Sequence, residues 1–111
     1  MSCIFCQIIN KEVPSEIVFE DKKIIAFKDI EPVAPVHILI VPKKHIPSIN
    51  HLSHEDRELI GELFLAAQEI ARQQKVAKSG YRLIFNVGPD AGQTVLHLHL
   101  HLIGGKKLPF A

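Results

Sequence analysis

The sequence predicts an α+β fold, a five-stranded, mostly antiparallel sheet with one long helix on one face and a short helix at the N-terminus. Three observations predict it. Five short runs rich in β-branched and aromatic residues are bounded by Gly, Pro or Asp. One stretch, Ser53 to Lys78, carries apolar residues at helical spacing. The strand-like runs cluster before and after that stretch instead of alternating with helices, which argues against a doubly wound parallel sheet.

Taken in order, Cys3 to Asn10 has an apolar face and reads as one or two helical turns, ended before Val13-Pro14 because proline breaks a helix. Ile17 to Glu20 and Ile24 to Lys28 form a hairpin turning at Asp21-Lys22. Val36 to Val41, held between Pro35 and Pro42, is apolar on both faces and predicts a buried central strand. Ser53 is a good N-cap with Asp56 three residues on, and Leu59, Ile60, Leu63, Phe64, Ala67, Ile70 and Ala71 form the buried stripe of the helix. The helix stops near Ser79-Gly80. Tyr81 to Val87 is the fourth strand, Gly88 to Gly92 a loop, and Val95 to Ile103 the last strand before Gly104-Gly105. No internal repeat or linker divides the chain, so residues 1–111 are expected to form one domain.

Composition narrows the classes of function. With 47% hydrophobic and 23% charged residues the chain has the balance of a folded globular protein, not a disordered one. The longest apolar stretch, Val33 to Pro42, is interrupted by Pro35 and His37 and falls well short of the roughly 20 residues that cross a bilayer, so no membrane partner is expected. The N-terminal MSCIFCQIINKE has no basic leader, long apolar segment or small-residue cleavage site, and a cytoplasmic location is expected. A net charge of +1 with interspersed signs gives no reason to expect a nucleic acid.

The informative stretch is Val95-Leu96-His97-Leu98-His99-Leu100-His101-Leu102. On a strand, alternate side chains share a face, which places the three histidines together about 6.6 Å apart and the leucines on the core side. A phosphate group can touch two imidazoles at that spacing. The same pattern also suits a transition-metal site or a plain amphipathic strand. Just upstream, Asn86 to Thr94 is a polar, glycine-bearing loop whose backbone N–H groups, Gln93 amide and Thr94 hydroxyl suit an anion, although an ordinary hairpin loop looks similar. Cys3-Ile4-Phe5-Cys6 is a Cys-x-x-Cys, which in a reducing compartment suggests metal or redox chemistry, or two buried free thiols. No parallel βαβ pattern surrounds it, which disfavours a thioredoxin-like role.

His97-Leu98-His99-Leu100-His101-Leu102-Ile103 resembles the His-φ-His-φ-His-φ-φ signature (φ apolar) of the histidine triad family. Phe27-Lys28-Asp29-Ile30, Pro35-Val36-His37, Ile40-Val41-Pro42-Lys43-Lys44-His45, Asn86 and Gly92-Gln93-Thr94 follow the family's order and approximate spacing, so the resemblance covers nearly the whole chain. Gly104-Gly105 is more similar to the Hint branch, the purine nucleoside phosphoramidases, than to the Fhit branch, which cleaves dinucleoside polyphosphates.

The resemblance implies a nucleotide hydrolase or transferase acting at the α-phosphorus of purine nucleotides through a covalent nucleotidyl-histidine. In it His99 matches the nucleophile, His101 a donor to phosphate oxygens and His37 a histidine supporting the nucleophile. Gln93, Thr94 and Asn86 match contacts to the phosphate and leaving group, Asp29 the carboxylate on the ribose hydroxyls, and Phe5, Ile8, Phe27 and Ile30 the walls around the base. It also implies a structural zinc ion on Cys3, Cys6, His45 and His97, as in many microbial members and the related galactose-1-phosphate uridylyltransferases; catalysis itself requires no cofactor. Other readings are a dinucleoside polyphosphate hydrolase, a nucleotide-binding regulatory module, and a metal-dependent hydrolase with the whole triad as ligands.

The helix from Ser53 to Lys78 and the strand from Tyr81 to Val87 carry more apolar surface than one small sheet covers. The family implies a homodimer whose sheets join across a two-fold axis, with the tail from Lys106 to Ala111, and Phe110 in particular, near the partner's nucleotide pocket.

Overall fold

The first hairpin shows how local chemistry sets the sheet. In the computed structural model, which describes residues 3–111, Asp21 Oδ1 accepts from the N–H groups of Lys23 and Ile24 at 2.8 Å each, a side-chain turn that reverses the chain. It joins β1 (Ile17–Glu20) to β2 (Ile24–Lys28). β3 (Val36–Pro42), β4 (Tyr81–Ile84) and β5 (Leu100–Gly104) complete an all-antiparallel sheet of order β1-β2-β3-β5-β4. The helices are α1 (Ile4–Ile9) and α2 (Arg57–Gln73). None among the described residues is long and apolar enough to cross a membrane.

Strand alternation gives the sheet two different faces. Ile24 and Ala26 of β2, Ile38 and Ile40 of β3, and Leu100 and Leu102 of β5 pack against Leu63, Ala67, Ile70 and Ala71 of α2. Burying a side chain such as Leu63 or Ile70 contributes about 1.5–3 kcal/mol. The opposite face, with Ile25, Phe27, Leu39 and Val41, carries Phe5 and Ile8 of α1. β3 is central as predicted, buried from His37 to Pro42. Only a hydrogen fits at Gly104, because a Cβ there would stand 3.2 Å from the Gly80 carbonyl oxygen and 3.3 Å from Tyr81 Cβ.

Three elements have boundaries more than one residue from those predicted. α2 begins at Arg57, after a 3₁₀ turn over His54–Asp56 in which the Ser53 N–H donates to Asp56 Oδ2 at 3.0 Å, and it ends at Gln73. Lys75, at φ 63°, has left the helix before Lys78. β4 stops at Ile84, so Phe85 to Val87 are not strand. Most consequentially, β5 starts only at Leu100, paired with Ile40, and Val95 to His99 lie outside the ladder. Leu98 N–H donates instead to the Ile46 carbonyl at 2.6 Å. The His97 ring caps the Pro42 carbonyl at the point where further pairing with β3 would need a backbone N–H.

Candidate active site

Because His97 precedes the ladder, the triad is not one uniform row. The His97 ring is fully buried, and its Nε2–H donates to the Pro42 carbonyl at 2.8 Å. A carbonyl only accepts, so in the neutral ring Nδ1 holds the lone pair. That lone pair faces Cys3 Sγ at 3.3 Å, Cys6 Sγ at 3.6 Å and His45 Nδ1 at 3.1 Å, while Cys6 Sγ lies 3.4 Å from His45 Nδ1. A tetrahedral ion with metal–sulfur bonds of about 2.3 Å and metal–nitrogen bonds of about 2.0–2.1 Å has ligand-to-ligand edges of about 3.3–3.8 Å. The four side chains therefore fit a metal ion. Burial lowers the His97 pKa, favouring the neutral form a ligand needs; burial and the adjacent Cys3 raise that of Cys6.

His99 is held from the same residue. Its Nδ1–H donates to the His97 carbonyl at 2.7 Å, which leaves the Nε2 lone pair free. Burial lowers its pKa, so it is neutral near pH 7, and Phe5 meets its ring edge-on at 5.0 Å between centroids. Beyond it, the Val33 N–H donates to His37 Nδ1 at 3.1 Å, which puts the proton of neutral His37 on Nε2. That N–H reaches His101 Nδ1 at 3.0 Å and lies 3.4 Å from Asp29 Oδ2. With Nδ1 accepting, neutral His101 carries its proton on Nε2. The Asn86 side-chain amide lies 3.5 Å from Nε2. Burial first, then His99 and His37, push the His101 pKa down to about 4. One neighbour thus presents a lone pair and the other an N–H, with ring centroids 5.0 Å apart.

Both histidines open into a cleft of about 410 Å³. Phe5, Ile8 and Phe27 wall one part; Asp29, Asn86 and Thr94 supply polar groups. The floor follows the register, since Phe27 pairs with Leu39 and Leu39 with His101 across three strands. Asp29 Oδ1 accepts from the Glu31 N–H at 2.8 Å, fixing the carboxylate at the rim. Ile30 also lines the rim, but is 93% exposed in the single chain.

Two expected residues do not line the cleft. His37, expected to support the nucleophile and not to line the cleft, is buried and hydrogen-bonded to His101. Gln93 is turned inward: its Nε2 donates to the Pro47 and Val95 carbonyls at 2.7 and 3.1 Å, and its Oε1 accepts from the Gly88 N–H at 3.0 Å. Leu39, Val13 and Pro14 line the cleft without having been singled out. Leu39 is two residues beyond His37 on the strand and shares its face, a periodicity signal that was available. Val13 and Pro14 come from a turn without one. Of the groups of donor atoms close enough to hold a metal among the described residues, one is Cys3, Cys6, His45 and His97 and the other Asp29, His37 and His101. Neither contains His99, which removes the support for the triad acting as a set of metal ligands.

An antiparallel sheet backed by a long helix, with paired histidines opening into a cleft on its other face, is the architecture of the histidine triad proteins. Residues 2–109 match the family model described as scavenger mRNA decapping enzyme C-term binding, and the chain belongs to the histidine triad family and is a hydrolase. It is 47% identical over 105 residues to the purine nucleoside phosphoramidase of Escherichia coli (strain K12), covering 95% of this chain and 88% of that one. A HIT family hydrolase from Legionella pneumophila Philadelphia 1 superposes with a TM-score of 0.96 at 47% identity, over 98% of this chain and 97% of that one. A histidine triad protein from Clostridium difficile gives 0.96 at 44% identity, over 100% and 96%.

Proposed function

We propose that the protein hydrolyses purine nucleoside 5′-phosphoramidates to the nucleoside monophosphate and an amine, with His99 as nucleophile. The observation that carries this reading is the hydrogen bond from His99 Nδ1–H to the His97 carbonyl, which leaves the Nε2 lone pair free beside the cleft. His99 Nε2 attacks the α-phosphorus, the phosphorus–nitrogen bond breaks, and the nitrogen takes up a proton from solvent and leaves as the amine. Water then cleaves the nucleotidyl-histidine. His101 Nε2–H donates to the phosphate oxygens, with His37 holding its tautomer, and Asn86 and Thr94 add polar contacts. Phe5, Ile8 and Phe27, with Ile30 at the rim, hold the purine, and Asp29 accepts from the ribose hydroxyls. Gln93 serves this site by bracing the loop that carries Thr94. The similarity to a purine nucleoside phosphoramidase supports the substrate class.

Cys3, Cys6, His45 and His97 would hold a zinc ion, whose charge would compensate two thiolates and tie α1 to the segment before β5. Four protein ligands leave no coordination position for substrate, so its role is structural. Residues 1–111 act as one domain, and two copies pair. This pairing is supported by the edge position of β4 and by Phe64 and Leu65, 44% and 65% exposed on α2. Phe110, 99% exposed, is free to reach the partner's cleft.

The test is a rapidly quenched reaction with adenosine 5′-phosphoramidate, analysed by mass spectrometry. A nucleotidyl group on His99 is expected, and His99→Asn should lower kcat by several orders of magnitude with a modest change in substrate affinity. Near-normal turnover in the variant refutes the mechanism.

A further inference from the structure

Leu96 breaks the pattern of its own motif. Leu98, Leu100 and Leu102 are buried against α2, whereas Leu96 is 64% exposed. It forms a wall of a second hollow, of about 470 Å³, with Ile4, Pro47, Thr94, Val95 and two of the metal-site candidates, Cys3 and His45. Ile4, Thr94 and Val95 also line the histidine cleft, so the two spaces are neighbours across these three residues. Thr94 and Val95 come from the loop that leads into the triad, so the shared wall is on the histidine side of the cleft.

The buried Gln93 amide, which does not line the cleft, gives this hollow its shape. Its Nε2 bridges the carbonyls of Pro47 and Val95, one on each side of the hollow, and its Oε1 ties in Gly88. Two walls are thereby held by one side chain that is 7% exposed. Such a space is pre-formed, and its occupant need not order it.

We propose that this hollow is a leaving-group subsite, which takes the apolar, uncharged substituent of the amine released from the nucleotide, with Leu96 as its specificity-determining residue. The inference rests on the phosphoramidase reading above. A substituent on the departing nitrogen must extend from the phosphorus away from the purine, and past Thr94 it meets Leu96, Val95, Ile4 and Pro47. Although Cys3, His45 and Thr94 also line it, the hollow is mostly apolar, which favours an alkyl or aryl group over one that brings its own charge.

The experiment compares kcat/KM for adenosine 5′-phosphoramidates of ammonia, n-butylamine and a butylamine ending in a carboxylate, with wild type, Leu96→Met and Leu96→Asn, metal content being checked in each. The ratio of the butyl to the unsubstituted substrate should fall about fivefold in Leu96→Asn and hold within twofold in Leu96→Met, as expected for losing apolar contact with one or two methylenes. In wild type the carboxylate-bearing substrate should be poorer than the butyl one. A ratio unchanged in Leu96→Asn overturns the subsite while leaving the phosphoramidase reading intact. Failure of wild type to cleave any member of the series overturns both. A butyl preference that emerges only when residues 108–111 are deleted means that the tail of a second copy fills the hollow, and overturns the proposal.

Discussion

Lowering the pH from 7.5 to 5.0 should destabilise the fold through His101, and His101→Gln should remove that part of the loss. His101 Nδ1 already accepts from His37, whose own proton is fixed on Nε2 by the Val33 N–H, so a proton added to Nδ1 would set two N–H groups against each other. Burial first, then the neighbouring His99 and His37, hold its pKa in the folded chain at about 4, against the ordinary 6.5 that the unfolded chain restores. Between those values the unfolded chain binds a proton that the folded chain does not, and stability falls with pH, levelling off below about 4. At about 1.36 kcal/mol per pKa unit the loss from this group at pH 5.0 is at most about 2 kcal/mol. Halved for the ring edge that faces cleft water, it is about 1 kcal/mol. Urea unfolding at both pH values measures it: wild type should lose about 1 kcal/mol more than His101→Gln, which has no imidazole to charge. Equal losses, or a larger loss in the variant, refute the argument, because His97 and His99 titrate in both proteins.

Replacing Cys3 and Cys6 together by Ser should remove about one equivalent of bound metal, read by elemental analysis, and lower the Tm while His99 stays in place; unmetallated wild type whose Tm ignores added zinc would contradict this. Light scattering at low micromolar concentration should give twice the chain mass of 12.5 kDa, and a fully folded, fully active monomer would contradict pairing through α2 and β4.

Much of this architecture was legible because it rests on local rules. Asp21 turns a hairpin with its own side chain, Ser53 and Asp56 open a helix, and the run between Pro35 and Pro42 is buried on both faces as a central strand must be. Leu98, Leu100 and Leu102 reach the core as alternation requires. What escaped depends on contacts distant in sequence. Nothing local to Val95 to His99 says that Leu98 will bond Ile46, or that the His97 ring will cap Pro42, yet those two bonds end the strand early and send His97 to the cysteines. The inward turn of Gln93 is of the same kind, since its partner Pro47 lies 46 residues away. Residue chemistry singled out the histidine row, the loop before it and the cysteine pair, and the family resemblance supplied the other candidates; their division into two clusters required the fold.

His97 joins those centres through two ends of one residue. Its imidazole stands among the thiols, and its carbonyl oxygen is the anchor for His99 Nδ1. The backbone of residue 97 is therefore a lever. A backbone shift at residue 97 that drew the ring out of the cysteine cluster would turn the carbonyl as well, and His99 would lose the partner that keeps its proton on the far nitrogen. An imidazole so released spends part of its time with the proton on Nε2, a form with no electron pair to offer phosphorus. On the phosphoramidase reading, a metal held by the cysteine cluster would thus help to keep His99 in its reactive tautomer, with no contact between the ion and the reacting atoms.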